Sequence, residues 1–386
     1  MAVAGQPLTL YGIVDLSLYY NPTSQAARDG LSAAISETNY GMTSGVLSGS
    51  RWGIKASESL SPEWSVNFVL EGGINAQNGT LGQGGLGFGR QSTVGVASSR
   101  LGSLDLGRQG SLAYKYLVPF DPFAISGSQA GMGVSFGSAN GVRPNNLILY
   151  QTAVIHGWQA GVGFSLNTGF TAAYYDGAQG DAITQPATSF FGTTQNMRML
   201  TLGLRYSRGP LSMVFAYDMV YAANQLITDD DQVVSNKKQP KPRAWLLGGQ
   251  YDFRWAQISA VIGQTVGGNF FGQGPGAGGY SSSLSTASRG TNMLFADGAR
   301  SFQYSLAATI AAGRDGRVLL SWQASRPYGS FRQAEQLATQ NVFSAAYVYS
   351  LSKRTDLYVW GSYGNNYQTI STAKSSVIGT GIRHLF

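Results

Sequence analysis

Arginine is the residue type in this sequence with the clearest chemistry. The chain holds 26 Lys and Arg against 19 Asp and Glu, a formal net charge of +7. A guanidinium stays charged at any working pH and binds carboxylate or phosphate oxygens with a planar fork of donors. The basic residues are spread singly instead of clustering in a patch or on one helix, which argues against a nucleic-acid partner. The charge pattern therefore favours small anions as partners.

Residues suited to catalysis or metal binding are sparse. The chain has no cysteine, so no disulfide, cysteine metal site or cysteine nucleophile can form. The two histidines, His156 and His384, have no partner at a metal-like spacing. Residues 82–87 match a G-x-G-x-x-G dinucleotide pattern, but they lie in a Gly-rich segment without the strand–helix–strand unit that this motif requires. We expect no catalytic site, no cofactor and no metal.

Apolar and polar residues alternate with a period of two in segments from one end of the chain to the other. In residues 301–310 the even positions hold Phe, Tyr, Leu, Ala and Ile, and the odd positions hold Ser, Gln, Ser, Ala and Thr. Residues 8–20, 198–206 and 317–325 follow the same pattern. This period is typical of β-strands with one apolar and one polar face.

The connections between these segments alternate in length. Seven are tight turns, at 58–63, 99–103, 155–157, 207–210, 252–254, 313–316 and 352–354. Eight are long, Gly-rich or polar loops, near 21–48, 75–87, 110–145, 167–196, 223–242, 266–298, 327–340 and 364–374. Together they join sixteen strands. Short turns at one end and long loops at the other are typical of a transmembrane β-barrel, and an even strand count allows antiparallel closure.

The composition agrees with a barrel. Charged residues make up 12% of the chain, about half the usual soluble share, and the mean hydropathy is −0.07. No run of about 18 apolar residues exists, which excludes a bundle of membrane-spanning helices. A Gly-rich soluble β-sandwich or β-solenoid would fit the composition, but neither has a reason to place every long loop at one end. We therefore predict an all-β fold, a sixteen-stranded antiparallel transmembrane β-barrel over residues 1–386 as a single domain.

The C-terminus gives a more specific signal. Residues 376–386 alternate, with Ile378, Ile382 and the terminal Phe386 on one face and Arg383 on the other. A last strand that ends on an aromatic residue is typical of bacterial outer-membrane barrels. We expect this strand to pair with the one that starts near Leu8. Residues 1–7 are too short for the signal peptide that export requires, so we expect that peptide to have been removed and Met1 to have been added for expression.

Four motifs spread over the chain resemble the general diffusion porins of Gram-negative bacteria, most closely the branch found in Bordetella, Burkholderia and Neisseria. They are LYGIVD at 10–15, SRWGIK at 50–55, LGRQ at 106–109 and LSKRTDLY at 351–358. The end GIRHLF at 381–386 fits the same branch. The resemblance implies a homotrimer in the bacterial outer membrane, in contact with lipid and lipopolysaccharide. It also implies a third loop, about 110–145, that folds inward to constrict the pore.

The resemblance also implies which residues line the constriction. Arg51 and Arg108 match pore-wall arginines of the family, Arg143 resembles a third, and Arg90 resembles an additional arginine of this branch. Lys55 shares the face of Arg51 by alternation. Simple alternation over 104–109 places Arg108 on the apolar face, so a bulge or burial under the third loop would be needed to turn it inward.

The third loop departs from the acidic loops of enterobacterial relatives. Over 110–145 it holds a single acid, Asp121, which lies in the segment PFDPF at 119–123. Asp121 is a candidate counter-charge to the arginines, or only a turn residue before proline. Arginines opposite a loop with almost no acid favour anions, because rings of Arg and Lys are the expected lining of anion pores.

Three functions remain open at this point. The first is a water-filled channel for passive diffusion of small hydrophilic solutes, anionic or neutral, with a preference for anions. The second is a channel with a dedicated site for organic acids or phosphate. The third is a surface protein whose long loops bind a partner while the pore is closed. None of the three is an enzyme.

Overall fold

A computed structural model of the chain describes residues 8–25, 35–126, 129–170, 172–175, 181–183, 196–223, 226–227, 233–234, 240–273, 293–334 and 336–386. The expectation for Met1 concerns residues outside this set. The strands are β1 Thr9–Gln25, β2 Ile35–Ser44, β3 Arg51–Ser59, β4 Trp64–Asn75, β5 Thr80–Leu81, β6 Gln91–Ser98, β7 Gly102–Arg108, β8 Leu147–Gln151, β9 Trp158–Ser165, β10 Ala172–Tyr175, β11 Asp181–Ile183, β12 Arg198–Arg208, β13 Leu211–Tyr221, β14 Leu226–Ile227, β15 Val233–Val234, β16 Arg243–Asp252, β17 Ala256–Asn269, β18 Met293–Ala312, β19 Gly316–Tyr328, β20 Gln340–Ser350, β21 Thr355–Asn365 and β22 Lys374–Leu385. The helices of the described residues are α1 Leu112–Leu117 and α2 Ser330–Ala334, and none of them is long and apolar enough to cross a membrane.

Apart from the short strands β5, β10, β11, β14 and β15, the strands close into one antiparallel barrel. The first strand pairs with the last, from Ile13 opposite Leu385 to Ser24 opposite Lys374. Strand β3 pairs with the first half of β1, and β2 pairs with its second half. Together they occupy one strand position in the barrel wall, and each such position is here called a stave. Counted this way, the described residues supply sixteen staves, in the order β1, β2 with β3, β4, β6, β7, β8, β9, β12, β13 and β16 to β22. The predicted fold is confirmed.

The wall has the two faces that the alternation predicts. In β20, Val342, Ser344 and Val348 are buried, whereas Phe343 and Tyr347 on the other face are exposed. Successive side chains of a strand point to opposite sides of a sheet, so the exposed apolar face is the outside of the barrel and the buried face is the inside.

The seven predicted tight turns are all present. Two of the long loops are shorter in the structure than the sequence predicts, because strands extend into them. Strand β1 continues to Gln25 and β2 begins at Ile35, inside the loop expected at 21–48. Strand β17 continues to Asn269 and β18 begins at Met293, inside the loop expected at 266–298. These strand ends keep their backbone pairing but lose the apolar alternation, because a strand that extends beyond the lipid no longer needs an apolar outer face.

The C-terminal residue completes the backbone pairing of the first and last strands at the end of the barrel where the tight turns lie. The backbone amide of Gly12 donates to the Phe386 carbonyl over 3.0 Å, and the Phe386 amide donates to the Gly12 carbonyl over 3.1 Å. A Cβ at Gly12 would lie 2.2 Å from Cζ of Phe386. Glycine at this position therefore leaves room for the terminal ring. The start of β1 and Phe386 lie at the end that barrels of this type turn toward the periplasm.

The segment between β7 and β8, residues 109–146 and here called the inner segment, lies against the inner face of the wall. Leu112 and Leu117 of α1 belong to one apolar cluster with Val214 and Leu246, which face inward on β13 and β16. Further along the segment, side chains of the wall donate hydrogen bonds to its backbone. Gln250 donates to the Pro119 carbonyl at 2.9 Å, Ser259 to the Phe120 carbonyl at 2.6 Å and Gln323 to the Gly131 carbonyl at 3.0 Å. The described parts of the segment are thus attached to several separate staves.

Candidate functional site

A polar cavity of about 250 Å³, here called the first cavity, lies between the wall and the inner segment. The side chains that define its chemistry are Arg51, Arg90, Arg143 and Tyr114, with Ala124 at one edge. Arg51 opens β3 and Arg90 immediately precedes β6, whereas Tyr114 and Arg143 belong to the inner segment. Three of the four arginines selected from the sequence therefore meet in one place, although they are distant in the chain.

Arg51 is positioned by a turn that follows β2. Residues 45–50 leave the wall, and the Arg51 Nε donates to the Gly49 carbonyl at 2.9 Å. The fully buried carboxylate of Asp15 holds this turn, because it accepts from the backbone amides of Leu47 at 2.7 Å and Ser48 at 2.8 Å. The hydroxyl of Tyr358 donates to the same carboxylate. A buried carboxylate that accepts several hydrogen bonds is a firm anchor, since an unpaired charge would be costly there.

Among the ion pairs of the described residues, Arg90 is the one arginine of the first cavity with an acidic partner. Its Nε lies 2.6 Å from Oε1 of Glu71, and the Tyr11 hydroxyl donates to Oε2 of the same carboxylate at 3.0 Å. Glu71 was not selected from the sequence. Its only signal there is that it is a lone acid in β4, on the face opposite Leu70. Three guanidiniums and one carboxylate leave this group with a net charge of +2.

Arg143 and Tyr114 form the part of the cavity that the inner segment contributes. Arg143 Nη2 donates to the Tyr114 hydroxyl at 2.7 Å, and Nη1 donates to the Gly141 carbonyl at 2.9 Å. Burial lowers the pKa of Arg143 to about 10, so its guanidinium is still charged at neutral pH. Burial by itself would raise the pKa of Tyr114, yet that pKa is lowered, because the positive charges of Arg143, Arg90 and Arg51 outweigh the burial. The direction of this pKa shift agrees with the positive net charge of the arginine group around the phenol.

Arg108 does not line the first cavity. Gly107 has a φ of +126°, a conformation that favours glycine, and this departure from regular strand geometry redirects the side chain that follows. The Arg108 Nε donates to the Gly89 carbonyl at 2.7 Å, and Nη1 donates to the Arg143 carbonyl at 2.7 Å and Asn145 Oδ1 at 2.6 Å. Arg108 therefore ties the return of the inner segment to the residues just before β6, and thereby positions Arg143.

Lys55 lies apart from the arginine group. Its side chain is exposed, and its ammonium lies 5.2 Å from the centre of the Tyr11 ring. It follows Arg51 by four residues along β3, a rise of about 13 Å toward the end with the tight turns. Lys55 thus shares the inner face predicted for it but is not a member of the first cavity.

Asp121 accepts hydrogen bonds from its own segment. Its buried carboxylate accepts from the backbone amides of Phe123 at 3.0 Å, Ile125 at 2.9 Å and Met132 at 2.7 Å. None of the hydrogen bonds or ion pairs described for it involves a guanidinium. Burial raises the pKa of Asp121 to about 6, against the effect of the three amide donors, so the carboxylate is mainly ionised at neutral pH.

The turn that Asp121 holds has an unusual backbone. Ala124 and Ile125 have φ values of +53° and +46°, in a region that residues other than glycine rarely adopt. Ala124 lines the first cavity and also a second cavity beyond it. Residues in such conformations persist only where the surrounding structure enforces them. The hydrogen bonds to Asp121 supply that enforcement, and they fix the wall between the two cavities.

Among the described residues, no group of three or more His, Cys, Asp or Glu side chains could hold a metal ion. The arrangement instead offers fixed guanidinium and amide donors around water-accessible space. Such donors can replace part of the hydration shell of an anion without any bond being made or broken. The chemistry that the cavity supports is reversible electrostatic binding.

Comparison with known proteins identifies the family of this chain. A family model for Gram-negative porins matches residues 1–369. An outer membrane porin protein of Bordetella pertussis is 37% identical over all of this chain and 96% of its own length. Outer membrane porin protein 32 of Delftia acidovorans is 26% identical over 92% of this chain and 83% of its own.

Among solved structures, the anion-selective porin from Comamonas acidovorans superposes with a TM-score of 0.69 at 23% identity, over 99% of this chain and all of the other. At this identity the superposition shows the fold. The family match and the full-length relative settle the classification: this chain belongs to the Gram-negative porins, channels of the bacterial outer membrane.

Proposed function

We propose that this porin conducts small hydrophilic solutes by passive diffusion and prefers anions over cations. The first cavity supports the proposal, because Arg51, Arg90 and Arg143 line it and, in the described part of the chain, one carboxylate pairs with them, that of Glu71. The single observation that carries most weight is that these three guanidiniums lie around one cavity, where Glu71 pairs with Arg90. The lowered pKa of the Tyr114 phenol, which lies among them, agrees with the positive net charge of the group.

The physical argument concerns how a one-sign field acts in a narrow, low-dielectric passage. Walls of low dielectric focus field lines and raise the local concentration of counter-ions. Here the positive charge is fixed by guanidiniums that are held in place by carbonyls and by Glu71, so it costs no rearrangement when an anion arrives. The only acid of the inner segment, Asp121, is occupied by backbone amides. The inner segment therefore adds no opposing negative pole.

The assembly and the surroundings are part of the same proposal. We propose a homotrimer whose exposed apolar faces contact neighbouring protomers, outer-membrane lipid and lipopolysaccharide, and we assign no enzymatic activity. One solved relative of this fold, OmpT of Vibrio cholerae, is described in a trimer form, with a TM-score of 0.56 at 11% identity. Light scattering of the detergent-solubilised protein, corrected for bound detergent, should give three chains per particle, and one chain would contradict the trimer.

The test of selectivity is the reversal potential of the wild-type channel in a planar bilayer under a KCl gradient. Anion preference predicts a reversal potential displaced toward the chloride equilibrium potential. A displacement toward the potassium equilibrium potential would contradict the proposal. Saturable block of the chloride current by one organic acid would instead favour a substrate-specific channel.

A further inference from the structure

A second group of charged residues lies inside the barrel, nearer to the tight turns than the first cavity is. It is formed at the ends of β19, β21 and β22 that lie next to those turns. Arg317 Nη2 lies 3.3 Å from Oδ2 of Asp356, and Arg383 Nε donates to the same oxygen at 3.1 Å. Arg383 Nη1 also donates to Ser48 Oγ at 2.9 Å. Two guanidiniums share one carboxylate, so the group carries a net charge of +1.

This group borders two cavities. The second cavity, of about 360 Å³, begins at Ala124 and ends at Arg317 and Arg383. A third cavity, of about 530 Å³, begins at the same two arginines and reaches Lys353 in the tight turn between β20 and β21. Since neighbouring cavities share lining residues, the three form a series that runs from the first arginine group to the end with the tight turns.

The lining of the second cavity combines donors that suit a small oxyanion with one carboxylate, that of Asp121, whose oxygens accept from three backbone amides. The side-chain amides of Gln250 and Gln257 and the hydroxyl of Thr309 supply polar contacts beside Arg317. The Arg317 side chain is 31% exposed, and among the hydrogen bonds described for it none uses Nε. A guanidinium with an unused donor, next to neutral hydrogen-bonding groups, can donate to a carboxylate or phosphate oxygen without displacing Asp356.

We propose that Arg317 and Arg383 form a second anion-binding station, which holds a small oxyanion, a carboxylate or phosphate, before it leaves toward the periplasm. The inference rests on the proposed function, because only an anion-conducting pore delivers such a ligand to it. Two stations in series satisfy what conduction needs, binding that is favourable enough for entry and weak enough for release. The competing interpretation is a structural ion-pair network that only ties three strands together.

Two substitutions that change the net charge of this group in opposite directions separate these interpretations, with inorganic phosphate as the probe. Arg317→Gln removes one positive charge and leaves Asp356 paired with Arg383. Asp356→Asn removes the negative charge and keeps an amide oxygen that can accept from both arginines. The matched control is Arg314→Gln, which removes the same charge from an exposed turn at the same end of the barrel.

The readout is the apparent dissociation constant for phosphate, taken from its block of chloride current through single channels. We expect R317Q to raise this constant about fivefold and D356N to lower it by a similar factor, whereas R314Q leaves it within about twofold of wild type. Equal constants in wild type, R317Q and D356N would overturn the station, and so would an R314Q effect as large as that of R317Q. If R317Q does not fold, the direction of the D356N effect still decides.

The reversal potential of the same wild-type channels keeps this test separate from that of the proposed function. An anion-selective wild type with unchanged phosphate block in both variants would reject the station alone. A cation-selective wild type would reject the proposed function itself.

Discussion

The two sides of the first cavity use their acids in different ways. On the wall, the Glu71 carboxylate lies against Arg90 and cancels one positive charge. On the inner segment, the Asp121 carboxylate accepts from three backbone amides of its own turn, and none of the ion pairs described for it involves an arginine of the first cavity. The acid on the wall therefore tunes the field of the pore, and the acid on the inner segment fixes its shape. Formal charge alone does not say which role a lumenal acid has.

The largest expected effect comes from Asp121→Ala, which removes the acceptor of three buried amides. Each unsatisfied amide costs about 1–3 kcal/mol, so we expect the turn to lose about 3 kcal/mol or more of stability. Amides of the described inner segment should exchange hydrogen faster, and the single-channel conductance should become variable. The reversal potential should move little, because Asp121 does not line the first cavity.

Asp121→Asn is the control for that experiment, since it keeps an oxygen acceptor while it removes the charge. It should resemble wild type more closely than D121A does in hydrogen exchange. A shift in selectivity as large as that of a Glu71 variant would show instead that Asp121 is a counter-charge.

The next effect in size is that of Glu71→Gln, which leaves Arg90 without its ion-pair partner and raises the net charge of the group from +2 to +3. A unit charge about 8 Å from a passing ion in water contributes about 0.5 kcal/mol, or about twofold in concentration. Chloride is favoured and potassium is disfavoured by this same factor, so the chloride-to-potassium permeability ratio should rise about fourfold, as measured from the reversal potential. A fall in that ratio would contradict the role given to Glu71.

The smallest effect is expected from Lys55→Gln. Lys55 is exposed and lies about 13 Å along β3 from Arg51, which exceeds the Debye length of about 10 Å in 0.1 M salt. The reversal potential should stay within experimental error of the wild-type value at that ionic strength. A shift comparable to that of E71Q would place Lys55 in the selectivity-determining group after all.

The architecture was predictable because a barrel wall repeats one simple pattern. Each stave alternates between lipid and lumen, and each tight turn closes on a few residues, so local sequence contains the information. The pattern stops where the lipid stops, and for that reason the extensions of β1 to Gln25 and of β17 to Asn269 were missed. Similarly, nothing local marks residues 45–50 as a turn held by Asp15, which lies 32 residues from Leu47.

The site was predictable in part. Arg51, Arg90 and Arg143 were selected by resemblance to family motifs, and the structure places all three around one cavity. The partner of Arg90 is 19 residues away on another stave, and the carbonyls that hold Arg108 come from two different segments. Such contacts depend on strand register and on the path of the inner segment. The period of two determines only the face of the sheet, so it could not predict them.

The central claim is that arginines around the first cavity set the ion preference of the pore. The most direct test compares the reversal potential of wild type with that of the double variant Arg51→Gln, Arg143→Gln under one KCl gradient. Both changes retain side-chain donors, and they reduce the net charge of the group from +2 to zero. The account predicts an anion-selective wild type and a double variant whose reversal potential lies close to zero. An unchanged reversal potential in a folded, conducting double variant would contradict it.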